Sequence, residues 1–129
     1  MARVVITGAG TINPIGGDVP STFAAMREGR CGIGPLDIPD VERLAIQIGG
    51  QIKGYAETDH FNRQQIALYD RFTQFTLLAA RQAVGQSGLT FTGALADQSG
   101  VIFGTSGGGL NTQDENYRAV YEEGKNRVH

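Results

Sequence analysis

Two apolar runs that each lead into a glycine-rich loop constrain the fold of this chain more than any other feature. The run at residues 3–7 is followed by a loop at 8–18 with four glycines, and the run at 99–103 is followed by Gly-Thr-Ser-Gly-Gly-Gly at 104–109. Short β-branched runs bounded by glycines are typical of buried strands, and clustered glycines mark tight turns or close backbone approaches. Helical patterns lie between the two runs. Strands separated by helices predict a layered α/β fold.

The rest of the sequence predicts four helical segments, one further strand and one irregular stretch. The predicted segments are a helix at 21–28 capped by Ser21 and ended by Gly29, an irregular stretch at 32–42, a strand at 44–48 that continues at 51–52 past a Gly-Gly kink, and helices at 59–69, 70–86 and 111–123.

The helix at 70–86 has the clearest pattern. Asp70 can cap its start and Gly88 can end it, and beyond the cap only Arg71 and Arg81 carry charge. A long helix with so few charges is expected to be buried on most of its sides.

Length and charge narrow the possible functions. A chain of 129 residues suits one compact domain, and a net charge of −2 gives no general attraction to nucleic acid or to an anionic membrane. The single cysteine, Cys31, cannot form an intramolecular disulfide and fits a reducing compartment. The sequence contains no apolar run near the roughly 20 residues that a membrane-spanning helix needs, and its first residues do not form a signal segment. These observations predict a cytoplasmic protein.

A glycine loop after a strand also raises the possibility of a nucleotide site, but both loops depart from the phosphate-binding patterns. A dinucleotide site needs the spacing Gly-x-Gly-x-x-Gly at a helix start, whereas Gly8 and Gly10 are followed by Asn13 and then by Pro14. A P-loop ends in Lys followed by Ser or Thr, whereas Gly109 is followed by Leu-Asn. The sequence therefore disfavours a nucleotide-binding module, and a cofactor titration would test this.

Taken together, the two loops and the segments between them resemble the opening of the β-ketoacyl-[acyl carrier protein] synthases, above all the elongating synthases I and II. The order and spacing of the pieces carry the resemblance across nearly the whole chain. The pieces are RVVITGAG at 3–10, NPIG at 13–16, MREGRCGI at 26–33, YDRFTQF at 69–75, AARQA at 79–83, SGL at 87–89 and GVIFGTSGGG at 100–109.

This resemblance implies a thiolase-like layered α/β fold, with residues 1–129 as the N-terminal part of the synthase N-terminal domain and the beginning of the first half only. The chain is expected to be truncated, because it stops just after a helix and two strong strands are few for an α/β sheet. The first glycine loop would serve tight packing beneath the sheet. The helix at 70–86 would lie buried between layers.

The resemblance further implies decarboxylative condensation of an acyl thioester with malonyl-acyl carrier protein, in fatty acid or related polyketide synthesis. In this family a cysteine nucleophile takes the acyl chain and two histidines assist the reaction, which suits an acidified thiolate and imidazole N–H donors. These residues match positions beyond His129, so no catalytic residue is expected here and the chain alone is expected to be inactive. No metal or redox cofactor is implied. Acyl carrier protein is the implied partner, and the complete protein is expected to form a homodimer.

Three residues of the chain carry side chains that could take part in catalysis, and none is assigned to it. Cys31 stands at a loop position where relatives often carry serine, which indicates a structural or incidental thiol. His60 has no cysteine near it in the sequence and is expected to be solvated or to cap a turn. His129 is the last residue and has no motif around it.

Gly107 and Gly108 are the candidate substrate-binding residues. By resemblance, their turn forms part of the wall of the acyl pocket, and the position of Gly107 carries a bulky aliphatic gate in the synthase II type and a glycine in the synthase I type. Gly107 would then leave the neck of the pocket open. The alternative is that the glycines at 107–109 only permit a tight turn.

Arg63, Lys125 and Arg127 are the candidate docking residues for acyl carrier protein, which is acidic and needs a local basic patch. In typical synthase II relatives the segment that matches 63–68 is rich in Lys and Arg. Other positions where those charges are expected are uncharged here: Gln64, Ala67 and Leu68. This departure indicates a specialised synthase, such as the nodulation or polyketide types, or a dedicated carrier protein. The alternative is that the three cations are ordinary surface charges.

A function of another class also stays open. Some polyketide systems pair an active synthase with a homologue that lacks the cysteine and tunes chain length. The discriminating cysteine would lie outside residues 1–129, so the sequence leaves open a non-catalytic partner that resembles a chain-length factor.

Overall fold

Helices provide most of the regular structure in residues 3–127, the part of the chain that the computed structural model describes. The helices and strands, in chain order, are α1 (Val19–Arg27), β1 (Ile33–Pro35), β2 (Ile48–Gly50), α2 (Arg63–Leu68), α3 (Arg71–Ser87), α4 (Gly93–Asp97) and α5 (Leu110–Tyr121), with short 3₁₀ turns at Val41–Arg43 and Glu57–Asp59.

The chain divides into two compact units. The first comprises residues 1–56 with 77–89, and the second comprises residues 57–76 with 90–129. The first unit contains the loop at 8–18, α1 and both strands. The second contains α2, α4 and α5, and the residues of α3 are divided between the units.

β1 and β2 form a two-stranded antiparallel sheet in which Ile33 pairs with Gly50 and Pro35 pairs with Ile48. The predicted irregular stretch at 32–42 is therefore wrong at β1. The predicted strand at 44–48 is correct only at its last residue. The two glycines that were expected to form a kink instead lie within β2, where they pair with β1, and the predicted continuation at 51–52 is not part of a strand. A Cβ at Gly49 would come within 2.9 Å of Leu36.

The two apolar runs are not strands within the described residues, and both strand predictions are wrong there. The side chains of Val4 and Ile102 are each 96% exposed. A strand is held by hydrogen bonds to a neighbouring strand, and among residues 3–127 neither run has such a neighbour. The described residues form a mixture of helices with one small sheet, and the predicted layers of sheet and helix are not seen in them.

Helix α1 starts earlier than predicted because its cap is Asp18 and not Ser21. The Asp18 carboxylate accepts a hydrogen bond from the backbone N–H of Ser21, whose hydroxyl accepts one from the backbone N–H of Asp18. This reciprocal arrangement is a capping box. Gly29 follows the end of α1 with a φ of +66°, as the predicted stop requires.

The later helices agree with the sequence more closely. The predicted helix at 59–69 is a 3₁₀ turn followed by the six-residue α2, whose start is capped by Asn62. α5 matches the predicted helix at 111–123 to within two residues. α4 was not predicted.

Helix α3 confirms the predicted helix at 70–86 almost residue for residue. Its expected burial is only partly observed, because most of its side chains are half-buried and those at its last turn are exposed. Gln74, at 1% exposure, is fully buried, and its amide donates to the carbonyl oxygen of Tyr69 and to the carboxylate of Glu57. Burial on the remaining faces would require further layers of structure against the helix.

Candidate functional site

The first glycine loop packs directly on the backbone of α3 within the first unit. A Cβ at Gly8 would overlap the carbonyl oxygen of Ala83, and a Cβ at Gly10 would overlap the carbonyl oxygen of Ala79. Backbone cannot withdraw as a flexible side chain can, so only glycine fits at these two positions. The prediction that this loop serves tight packing is confirmed for its packing against the helix.

Two glutamines of α3 hold the same loop by hydrogen bonds. The side-chain oxygen of Gln86 accepts from the backbone N–H of Ala9 at 2.6 Å, and that of Gln82 accepts from the N–H of Thr11 at 3.0 Å. The amide nitrogen of Gln82 also donates to the carbonyl oxygen of Gly17 at 2.7 Å. A phosphate-binding loop directs its N–H groups at the ligand. Here those of Ala9 and Thr11 are directed at α3.

Asn13, which stands where a dinucleotide site would have its third glycine, organises the turn that follows. Its side-chain oxygen accepts from the N–H groups of Ile15 and Gly16, and its amide donates to the hydroxyls of Thr11 and Thr22. With every polar atom of its side chain engaged, Asn13 fixes the loop to α1. The first loop is thus a structural element.

The second glycine loop ends in a turn that starts α5, in the second unit. Gly109 is the N-cap residue of α5 and has a φ of +77°, which favours glycine. Gly108 lies over the ring of Phe72, since a Cβ there would come within 2.7 Å of the ring edge. Gly107 is exposed, and a Cβ there would make only a 3.4 Å contact with the end of Leu110. Gly107 therefore has room for a side chain.

Asp70 anchors this turn from the start of α3. One oxygen of its carboxylate accepts from both the backbone N–H and the hydroxyl of Thr112, at 2.9 and 2.8 Å, and the other accepts from the N–H of Phe72 at 3.2 Å. Partial burial raises the pKa of Asp70, but the hydrogen bonds from Thr112 and Phe72 lower it by more than burial raises it. The pKa of Asp70 therefore lies below its usual range. The carboxylate therefore stays ionised at neutral pH.

The candidate docking residue Arg63 is the first residue of α2 and is exposed. The other positions where docking charges are expected also lie on the exposed side of this helix: Gln64, Ala67 and Leu68. Leu68 is 69% exposed. This helix therefore presents one cation beside an amide and two apolar side chains.

The candidates Lys125 and Arg127 follow α5 and are both exposed. The Lys125 ammonium forms an ion pair with the Glu123 carboxylate, and Glu122 precedes that residue. Two acidic residues are thus followed by two basic residues in the six-residue segment 122–127, which leaves it without net charge. None of these contacts tests whether Arg63, Lys125 or Arg127 binds a partner, and their role remains a prediction.

Cys31 and His60 belong to different units and have ordinary local surroundings. The exposed sulfur of Cys31 accepts from the backbone N–H of Ile33 at 3.4 Å. The ring of His60 meets that of Phe61 edge-on, with the ring centroids 6.5 Å apart. His129 lies outside the described residues.

The sequence alone missed two features of these loops. Gln82 and Gln86 are four residues apart and so share one face of α3, a spacing that could have marked them as partners of a polar loop. Asp70 was expected to cap α3, and its bond to Thr112, 42 residues away, left no local signal. Across residues 3–127 there is no cluster of three or more acidic, histidine or cysteine side chains fit to hold a metal ion. In the same residues no helix has the length and apolar character needed to cross a bilayer.

A protein-family model matches the whole chain. It describes the β-ketoacyl synthase N-terminal domain and covers residues 1–129.

Curated relatives agree with this match. The chain is 35% identical over 126 residues to 3-oxoacyl-[acyl-carrier-protein] synthase 2 of Staphylococcus aureus strain N315, and 34% identical over 125 residues to the protein of that name in Synechocystis. It is 40% identical over 126 residues to nodulation protein E of Rhizobium sp. strain N33. These alignments cover 97–98% of the chain but only 30–31% of each relative.

Proposed function

Since the chain belongs to the β-ketoacyl synthase family, we propose that it is the N-terminal portion of a 3-oxoacyl-[acyl carrier protein] synthase. In the complete protein, the acyl group on an enzyme thiol is joined to the malonyl group of malonyl-acyl carrier protein. The malonyl carboxylate leaves as carbon dioxide, the new carbon–carbon bond forms at the acyl carbonyl carbon, and the enzyme thiol is released. The match across all 129 residues is the observation that carries the proposal.

The proposed role of this segment in the reaction is to bind acyl carrier protein and to form part of the acyl pocket. The nucleophilic cysteine and the two histidines that the family uses would be supplied by sequence beyond residue 129, and Cys31 and His60 are assigned no catalytic role. The segment alone is therefore proposed to be inactive. The complete protein is proposed to be a cytoplasmic homodimer.

The turn at 107–109 is proposed to form part of the wall of the acyl pocket. Its geometry suits this role because Gly107 is exposed and has room for a side chain. A glycine at this position would leave the neck of the pocket open to long or bulky acyl chains. Gly108 would contribute its backbone to the same wall, and it packs against the ring of Phe72.

Acyl carrier protein is the proposed partner, with Arg63, Lys125 and Arg127 as its docking residues. The exposed side of α2 carries one cation, and the charge of Lys125 is offset by Glu123. Exposed charges mainly set the rate of association and its dependence on salt. We therefore expect docking to depend less on salt concentration than docking to a lysine-rich surface does. A dedicated carrier protein could bind such a surface through contacts other than charge.

A condensation assay on the complete gene product tests the proposal. Intact mass measured on the protein from its native source first establishes whether these residues belong to a chain well above 13.7 kDa. That protein is then assayed for release of carbon dioxide from malonyl-acyl carrier protein in the presence of acyl thioesters of increasing length. Condensation is the expected result. Its absence, with activity appearing only after a second synthase homologue is added, would identify a non-catalytic partner instead.

A pair of variants locates the pocket wall. Gly107→Ile should narrow the range of accepted acyl chains while leaving the shortest acyl thioester a substrate. Gly104→Ala is the matched control, because in the described structure no atom lies within 4 Å of a Cβ at that position. An unchanged chain-length profile in Gly107→Ile would mean that the glycines only permit a tight turn.

A further inference from the structure

One carboxylate serves the starts of two helices that are far apart in the sequence. Asp70 accepts from the N–H of Phe72 in the first turn of α3, and from the N–H and hydroxyl of Thr112 in the first turn of α5. The first N–H groups of a helix have no partner within it, and the positive end of the helix dipole favours a negative charge. Asp70 thus satisfies orphan donors of both helices with a single charge.

The start of α5 depends on this contact because its own cap residue has no side chain. The N-cap position is Gly109, and within the described structure no side chain of the cap accepts from the helix. Ser, Thr, Asp or Asn usually supplies that acceptor from the N-cap itself. Here it comes from Asp70, 42 residues away in the sequence.

A second contact ties the same turn to α3. The ring of Phe72 lies under Gly108, close enough that a Cβ on Gly108 would come within 2.7 Å of it. The backbone N–H of that Phe72 is itself bound by Asp70. The turn is therefore held on one side through Thr112 and rests on the ring of Phe72 on the other, and Asp70 binds the backbone N–H of both residues.

We propose that Asp70 is a positioning residue that fixes the turn at 107–109 against α3 and thereby sets the width of the acyl pocket. The effect on the pocket rests on the proposed function, in which this turn lines the acyl-binding wall. Asp70 itself touches no substrate atom in this proposal. It acts through Thr112, Phe72 and the glycines between them.

An ionised carboxylate suits this place because both of its oxygens accept hydrogen bonds. One oxygen accepts twice from Thr112 and the other accepts from Phe72. An asparagine has one acceptor oxygen and one donor nitrogen. In Asp70→Asn, either Thr112 or Phe72 would face an N–H group and lose its bond.

The experiment compares Asp70→Asn with Asp18→Asn in the complete gene product. Asp18 is a matched control, because it caps α1 through Ser21 and, like Asp70, has a pKa lowered by hydrogen bonds, but it belongs to the first unit. The first readout is hydrogen exchange of the backbone amides at 107–112, which needs no activity. The second is the distribution of product lengths when several acyl thioesters compete.

Substitutions at Thr112 should change amide exchange at 107–112 by smaller amounts, and they provide the test if Asp70→Asn fails to fold. Thr112→Val removes the hydroxyl bond and keeps the N–H bond, whereas Thr112→Ser keeps both. We expect amide exchange at 107–112 to quicken roughly fourfold in Asp70→Asn, less in Thr112→Val, and not in Thr112→Ser or Asp18→Asn. The distribution of product lengths should shift in the same order.

Two results would overturn the proposal. The first is exchange at 107–112 in Asp70→Asn and Thr112→Val that matches exchange in Asp18→Asn. The second is an unchanged product distribution in Asp70→Asn when Gly107→Ile alters that distribution. If exchange quickens but even Gly107→Ile leaves the distribution unchanged, Asp70 does hold the turn, and the failure lies in the proposed role of the turn as pocket wall.

Discussion

The two loops are both rich in glycine and both follow an apolar run, but they use their glycines in different ways. In the loop at 8–18, Gly8 and Gly10 are glycines because the carbonyl oxygens of Ala83 and Ala79 occupy the space of a side chain. In the loop at 104–109, Gly107 has room for a side chain, and Gly109 is a glycine because its φ is +77°. Space for a side chain is thus missing at Gly8 and Gly10, as it is at Gly108 against the ring of Phe72, whereas Gly107 is open and Gly109 is constrained by its backbone conformation.

The space around each glycine therefore distinguishes positions that cannot accept a side chain from positions that can. A loop that rests on helix backbone cannot change without moving the helix, since interiors are closely packed. A turn with open space above it can accept new side chains and so alter a surface. We therefore expect substitutions at Gly8 and Gly10 to affect stability and substitutions at Gly107 to affect specificity.

The largest expected effect is that of Gly10→Ala. The new methyl group would overlap the carbonyl oxygen of Ala79, and such overpacking against backbone should lower the free energy of unfolding by about 3 kcal/mol or more. The measurement is urea unfolding of the complete protein. Gly17→Ala is the control, because no described atom lies within 4 Å of a Cβ there, and it should stay within about 0.5 kcal/mol. Equal stability of the two variants would mean that the close approach to Ala79 does not require glycine at position 10.

Gln82→Ala should have the next largest effect. It leaves the half-buried N–H of Thr11 and the exposed carbonyl of Gly17 without their partner. The loss should cost about 1.5 kcal/mol, most of it at Thr11, because the carbonyl of Gly17 can bond to water instead. Gln113→Ala, at an exposed position of α5, is the matched control and should be nearly neutral. Thermal unfolding of both variants gives the comparison. A neutral Gln82→Ala would mean that the hydrogen bonds of Gln82 add nothing to the packing and the Gln86 bond that also hold the first loop.

The sequence predicted local features well and long-range features poorly, and the helices illustrate the reason. α3 and α5 were found because a helix is made by neighbours in sequence, through periodicity, caps and a closing Gly88. The runs at 3–7 and 99–103 were predicted as strands from composition, but a strand needs a partner, and the described residues contain none for either run. Composition indicates that a segment favours the strand conformation, but it does not indicate whether a second strand lies beside that segment.

The candidate site follows the same rule. The residues at 107–109 and 63–68 could be selected from the sequence by resemblance, because each is a short contiguous motif. The bond between Asp70 and Thr112 could not be predicted from the sequence, because it joins residues 42 apart. Each of the two residues is also common at a helix start for reasons that involve only its own helix. A carboxylate before a helix looks like a simple cap in the sequence, whether or not it also serves a second helix.

Gly109→Ala should have a smaller effect on stability and should separate conformation from volume. Alanine at a φ of +77° is strained, which should lower the free energy of unfolding by about 1 kcal/mol. Gly107→Ala is the partner variant, and its new Cβ would make only an ordinary contact with Leu110, so its stability should be nearly unchanged. Urea unfolding of the pair provides the measurement. A larger loss in Gly107→Ala than in Gly109→Ala would contradict the description of the second loop as open.

The smallest expected effect is the pH dependence that Asp70 contributes to stability. Because the folded pKa of Asp70 lies below its unfolded value of about 3.9, its contribution is complete above that value and is lost as the pH falls through the folded pKa. Asp70→Asn should therefore be less stable than the wild type at neutral pH, by under about 1 kcal/mol for a half-exposed group. The difference should shrink on acidification, and unfolding free energies from pH 7 down to about pH 3 would measure it. A difference that stays constant over this range would show that the Asp70 charge does not hold the second loop, and that its shape rests on Phe72 and the glycines alone.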